Sequence, residues 1–143
     1  MLAVECEKSF LSEKVLKNIL AKVSLALGLK KPVGFSLAFV SPTVIRRLNR
    51  TYRGQDKVTD VLSFPFNGAA MAGEIIICLA EARKQGRLYH HSTEDEVAIL
   101  LVHGLLHLFS FDHLKKKEAV KMFTLQKEIL KKLKIDWSIP EYG

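Results

Sequence analysis

Thr93-Glu94-Asp95-Glu96-Val97-Ala98-Ile99-Leu100-Leu101-Val102-His103-Gly104-Leu105-Leu106-His107-Leu108 is the stretch on which the fold turns. Thr93 with Glu96 three residues later has the form of a capping box, and the first-turn acids suit the positive end of a helix dipole. It opens an apolar helix that runs to about Leu108. The greasiest part, residues 97–111, is fifteen residues long and carries His103 and His107. That is too short for a bilayer crossing.

Outward from this helix, the pattern alternates between strands and helices. Residues 60–64 and 74–79 read as strands, joined by a stretch of small residues from Pro65 to Gly73. Residues 79–85 read as a short helix closed by Gly86. Further back, Val33, Phe35, Leu37 and Phe39 alternate strictly, which predicts a strand with one buried face. Ser41-Pro42 then reads as an N-cap with a first-turn proline, opening a helix to about Asn49, and residues 53–57 as an exposed polar loop. Ser12 caps a helix with Val15, Leu16, Ile19, Leu20, Val23 and Leu27 on its apolar face, ended by Gly28. Leu2, Val4 and Cys6 form an opening strand. On the other side, Asp112 caps a final helix whose stripe runs from Ala119, Val120, Met122 and Phe123 to Leu125, Ile129, Leu130 and Leu133. A sheet covered by helices follows, in the α/β or α+β class.

The chain has 143 residues, which suits one domain over residues 1–143. Apolar residues make up 48% and charged residues 26%, which excludes disorder. Cys6 and Cys78 are too few for a disulfide framework and read as small buried hydrophobes of a reducing compartment. The amino terminus lacks a basic start followed by an apolar core, so the sequence predicts a cytoplasmic protein without a membrane partner. The net charge is +7. Eight lysines against two glutamates between Leu114 and Lys134 carry most of it, and Arg46, Arg47, Arg50 and Arg53 form a second basic cluster. Such surfaces suit a polyanion such as nucleic acid, although solvated lysine-rich helix faces are also common. Few aromatics lie among these residues, so base stacking is not suggested.

His103 and His107, four apart, project from one helix face, separated by about 40° and about 6 Å. His113 joins them only if the chain leaves the helix and folds back through Ser110, Phe111 and Asp112. Three neutral imidazoles without cysteine suit Zn²⁺ or a similar divalent transition metal and leave a fourth position open for water. The same zero, four, ten spacing occurs in H-E-x-x-H-x-x-G-x-x-H zinc proteases. Here Gly104 replaces the glutamate that would act as base, so a peptidase is a poor reading. His90 and His91 read as surface residues without a role.

The segment His103-Gly104-x-Leu106-His107-Leu108, followed by Asp112-His113, resembles the signature of the YbeY family of metal-dependent endoribonucleases. Leu48-Asn49-Arg50-Thr51-Tyr52-Arg53 and Asp56-Lys57-Val58-Thr59-Asp60-Val61-Leu62-Ser63-Phe64-Pro65 resemble a second family block, and Gly73-Glu74-Ile75 a third in which Asp is commoner than Glu. The chain departs from the family at Val58, where Pro is usual, at Ser110, where Gly is usual, and at Phe111, where Tyr is usual. The resemblance implies an α+β fold like the zinc-metalloprotease core, a small mixed sheet with the metal site on an active-site helix. It also implies a single-strand-directed ribonuclease that matures the 3′ end of small-subunit ribosomal RNA and serves ribosome quality control, with RNA and the ribosome, not DNA, as partners.

Under that reading His103, His107 and His113 hold one Zn²⁺, with His103 also counted as catalytic. Arg53 grips phosphate and stabilises charge building on the phosphoryl oxygens. Asp60 and Asp112 either support the site or satisfy backbone donors at a turn or cap. Two alternatives stand beside this: a non-catalytic RNA- or ribosome-binding factor with a structural metal, and a metal-dependent hydrolase of another substrate. Structural zinc normally takes four protein ligands, which weighs against the first.

Overall fold

Serine side chains open three of the helices. In the computed structural model, which describes residues 2–4, 10–30, 34–66, 71–109 and 116–137, Ser12 Oγ accepts from Val15 N at 3.2 Å and starts α1 (Glu13–Leu27). Gly28, at φ +66°, ends it. Leu16, Ile19 and Val23 form its buried face, as the spacing predicts, and Leu20 and Leu27 are half-buried, but Val15, placed on the same stripe by the sequence, is exposed at the edge of that face. Ser41 Oγ accepts from Val44 N at 3.3 Å and starts α2 (Pro42–Arg53). This helix runs four residues beyond the predicted end. Arg53 therefore sits in a last helical turn rather than in a loop, and Arg50 and Arg53 face the negative end of the dipole.

Strands β1 (Leu2–Val4), β2 (Gly34–Val40), β3 (Val61–Pro65) and β4 (Met71–Cys78) form one sheet in the order β1-β2-β4-β3. The β1–β2 and β2–β4 pairs are parallel and β3 runs antiparallel to β4, so β3 is an edge. The first five residues of β2 are buried, so both its faces are covered, not one. Phe35, Leu37, Ile75 and Ile77 face a large core shared with α1, α3 (Leu79–Tyr89), α4 (Thr93–Leu108) and α5 (Lys116–Lys132). Ala38, Leu62, Ile76 and Cys78 face a smaller one closed by Ile45 and Leu48 of α2. A mixed sheet with helices packed on both faces is an α+β fold, in agreement with the sequence. Among the described residues no helix is long and apolar enough to cross a membrane.

Three local expectations yield to tertiary contacts. The cap of α4 is Ser92, whose Oγ accepts from Asp95 N at 3.1 Å, rather than Thr93. Glu96 cannot complete a box because it is fully buried and meets His91 Nδ1 at 2.7 Å. Gly86 lies inside α3, which ends at His90 with φ +61°. A Cβ at Gly86 would stand 2.9 Å from the His91 carbonyl oxygen, so this glycine serves the close α3–α4 approach. On α5, Met122, Ile129 and Leu130 are buried as predicted, but Val120 is 62% exposed and Phe123 38%. The side chain of Ala119 and the expected cap Asp112 lie outside the described residues.

The sheet and α4 meet at two glycines. A Cβ on Gly73 would collide with the Phe64 carbonyl and stand 2.9 Å from Pro65 Cα and 2.7 Å from Leu108 Cδ2. Two of these obstacles are backbone and cannot rotate away. Gly73→Ala is expected to lower unfolding free energy by about 1–3 kcal/mol in urea titration; wild-type stability would contradict this packing. Ser92→Ala is expected to cost about 1 kcal/mol while Thr93→Ala costs much less. The reverse order would restore Thr93 as the cap.

Candidate functional site

His103 and His107 fall in the last two turns of α4, where the helix emerges from the core. His103 is 5% exposed and His107 is half-buried. Their Nε2 atoms face each other at 3.1 Å, with ring centroids 4.7 Å apart and planes at 71°. On its other side His103 Nδ1 lies 3.2 Å from Oε1 of Gln126, a buried residue of α5. An amide oxygen only accepts, so Nδ1 carries the proton and Nε2 turns its lone pair towards His107.

This donor set fits a metal. Two nitrogens at about 2.0–2.1 Å from one tetrahedral ion stand about 3.3 Å apart, close to the separation seen here. Among the described residues no group of three His, Cys, Asp or Glu side chains is placed to hold a metal. His113, the third donor expected from the sequence, lies outside the described residues, as do Ser110, Phe111 and Asp112 of the expected turn.

The imidazoles open into a cleft of about 320 Å³ whose other wall is Arg53 and the β3 edge at Val61, Leu62, Ser63 and Pro65. Arg53 crosses from the end of α2 and donates from Nη2 to the Ser63 carbonyl. Its guanidinium also lies over the Phe64 ring, Cζ to centroid 5.1 Å. Two contacts thus hold the guanidinium at the cleft while its other N–H donors meet no partner among the described residues and are available to an anion. Ser63 Oγ donates to the Gly104 carbonyl at 3.2 Å, pinning the strand to α4 between the two histidines. A Cβ at Gly104 would lie 3.1 Å from Ser63 Oγ and 3.2 Å from Ile75. A longer side chain at this position would crowd the Ser63 and Ile75 side chains, so the close approach of α4 to the sheet favours glycine here.

Other predicted residues have structural duties. Asp60 is buried; its Oδ1 accepts from Val61 N at 2.8 Å, its Oδ2 from Gln85 Nε2 at 3.1 Å, and its carbonyl from Cys78 N at 2.9 Å. It fixes the start of β3 and does not line the histidine cleft. His91 is no surface residue but the buried partner of Glu96. Burial pushes the Cys78 thiol up, which suits the inert hydrophobe predicted for it. The Arg46 guanidinium beside Asp56, 2.9 Å from Nε to Oδ1, holds that carboxyl below the usual carboxylate range. Asn49 Nδ2 donates to the Lys57 carbonyl at 3.0 Å, so the end of α2 and the loop after it are tied together beneath Arg53. Sequence reasoning misses Gln126. Its signal is a polar residue in register with Met122, Ile129 and Leu130 on the buried face of α5.

The sequence profile of the family described as Endoribonuclease YbeY matches residues 3–134. Over 127 residues the chain is 39% identical to the Endoribonuclease YbeY of Ureaplasma parvum serovar 3, covering 86% of this chain and 82% of that one. Its identity to the Bacillus subtilis Endoribonuclease YbeY is 38% over 140 residues, covering 87% and 89%. The solution structure of TM1509 from Thermotoga maritima has the same fold, with a TM-score of 0.64 and 28% identity over 99% of both chains. The matched region contains α2, β3 and α4, the elements that build the cleft, and this chain belongs to the YbeY family.

Proposed function

We propose that this protein is a metal-dependent endoribonuclease that cuts single-stranded RNA during ribosomal RNA processing in the cytoplasm. The single observation that carries the reading is the facing of His103 and His107 Nε2 across a cleft shared with the Arg53 guanidinium. Family membership supplies the substrate class. His103, His107 and His113 would hold one Zn²⁺, which when bound supplies Lewis acidity towards phosphate and activates water at neutral pH.

The chain's own residues do the rest. Gln126 keeps His103 in one tautomer with its metal-facing nitrogen unprotonated, a role that usually raises ligand basicity and fixes ring orientation. Arg53, anchored on Ser63 and Phe64, presents donors to the phosphoryl oxygens as their charge grows. Arg47 and Arg50, exposed on the same helix, strengthen the positive field that draws the RNA backbone. The maturing 3′ end of small-subunit ribosomal RNA, on the ribosome, is the substrate implied by the family resemblance.

His107→Ala is expected to lose bound metal, read by elemental analysis, and RNA cleavage together. Cleavage that persists in that variant, purified alongside the wild type, would remove the site from the reaction. Arg53→Ala is expected to retain metal and slow cleavage about a hundredfold. Gln126→Leu, which keeps the volume and deletes the acceptor, is expected to weaken metal binding about 10–100-fold. Unchanged metal affinity would make Gln126 a packing residue only.

A further inference from the structure

A second cleft lies across the edge strand from the histidines, on the α2 side of the sheet. The strand register sets three side chains in a row there: Ser36 of β2 opposite Glu74 of β4, and Phe64 of β3 opposite Glu74 from the other side. Leu48 and Tyr52, one turn apart on α2, stand over this row. Together with Ile76 they enclose about 270 Å³. The Tyr52 and Phe64 rings meet edge to face, 5.4 Å between centroids, and Tyr52 is 63% exposed. Folding has placed an aromatic pair beside the basic end of α2, although the two residues are twelve apart in sequence.

The polar group in this cleft is a carboxylate. Glu74 is half-buried, and its Oε2 accepts from Ser36 Oγ at 3.4 Å. Among the described residues Oε1 has no hydrogen-bond partner and Glu74 forms no ion pair. This is notable beside a helix carrying four arginines, one of which, Arg46, is engaged by Asp56. A half-buried carboxylate beside an aromatic pair asks for a flat ligand with neighbouring N–H donors.

We propose that this cleft is a nucleobase pocket that selects guanine in single-stranded RNA; the proposal rests on the ribonuclease reading above. Guanine presents N1–H and an N2 amino group side by side on its Watson–Crick edge, and a carboxylate accepts from both. Adenine and cytosine set one amino donor beside a ring acceptor, and uracil sets one N–H between two carbonyls, so each would turn a lone pair towards Glu74. Tyr52 and Phe64 supply the stacking surface that unpaired bases use. Phe64 links this pocket to the histidine cleft, since its ring lines the one and carries the Arg53 guanidinium that lines the other. On this reading a strand whose phosphate lies on Arg53 sets a neighbouring base beside Phe64, which stands opposite Glu74 in the strand register. The longer side chain, where the family block more often has Asp, carries the carboxylate further from the sheet into the cleft.

Nucleoside monophosphates test the pocket apart from catalysis, because they contain no phosphodiester bond to cut. By titration calorimetry the full chain is expected to bind GMP at least about tenfold more tightly than AMP, CMP or UMP. Glu74→Gln, close to isosteric, is expected to abolish that preference, and Tyr52→Ala, at an exposed position, to weaken all four. In parallel, cleavage of an RNA containing one movable G is expected to follow the G in the wild type and to lose that register in Glu74→Gln at unchanged metal content. Equal binding of the four nucleotides, or a preference that survives Glu74→Gln, overturns the pocket even if RNA is cut. Selective GMP binding without any RNA cleavage upholds the pocket and sinks the ribonuclease reading instead.

Discussion

Helix α4 is enclosed by protein from Glu96 to Leu106, so the polar groups it carries there look to neighbouring elements rather than to water. That constraint organises the molecule. Glu96 is met by His91, the Gly104 carbonyl by Ser63, and His103 by Gln126. Each partner comes from a different element: the α3–α4 junction, the edge strand and α5. Leaving one such group unpaired costs about 1–3 kcal/mol, so the three contacts specify orientation as well as stability.

The cleft inherits its rigidity from this enclosure. His103 is fixed on both ring nitrogens, while His107, one turn later, reaches the boundary of the core. Arg53 approaches from the opposite side on a helix that is itself held to the following loop through Asn49. A site assembled from the end of one buried helix and the rim of a sheet combines a dry floor with an open mouth. That combination suits a long polymer, which has to lie across a surface rather than enter a cavity.

Much of the fold was legible because its signals are local. Ser12 and Gly28 bracket α1 through backbone hydrogen bonds that involve only near neighbours, and the alternation at Phe35 and Leu37 reports strand geometry directly. The errors arise where a distant partner claims the residue. Thr93 and Glu96 have the spacing of a capping box, yet His91 takes Glu96 inward. Gly86 resembles a helix stop, yet it is small because α3 and α4 nearly touch. The pairing of His103 with His107 follows from helical periodicity alone, and so was legible. Their coupling to Gln126, and the assembly of Tyr52, Phe64 and Glu74, depend on strand register and helix docking that no window of sequence contains.

The Arg53 contact with Ser63 has a consequence for solubility. Among the described residues the β3 rim is the border of the sheet, and an unblocked border of that kind recruits strands from other molecules. A bulky cation hydrogen-bonded to the Ser63 carbonyl occupies one acceptor that an incoming strand would need, and its charge repels a second copy bearing the same group. The arginine thus blunts strand addition at the place where the chain must stay accessible.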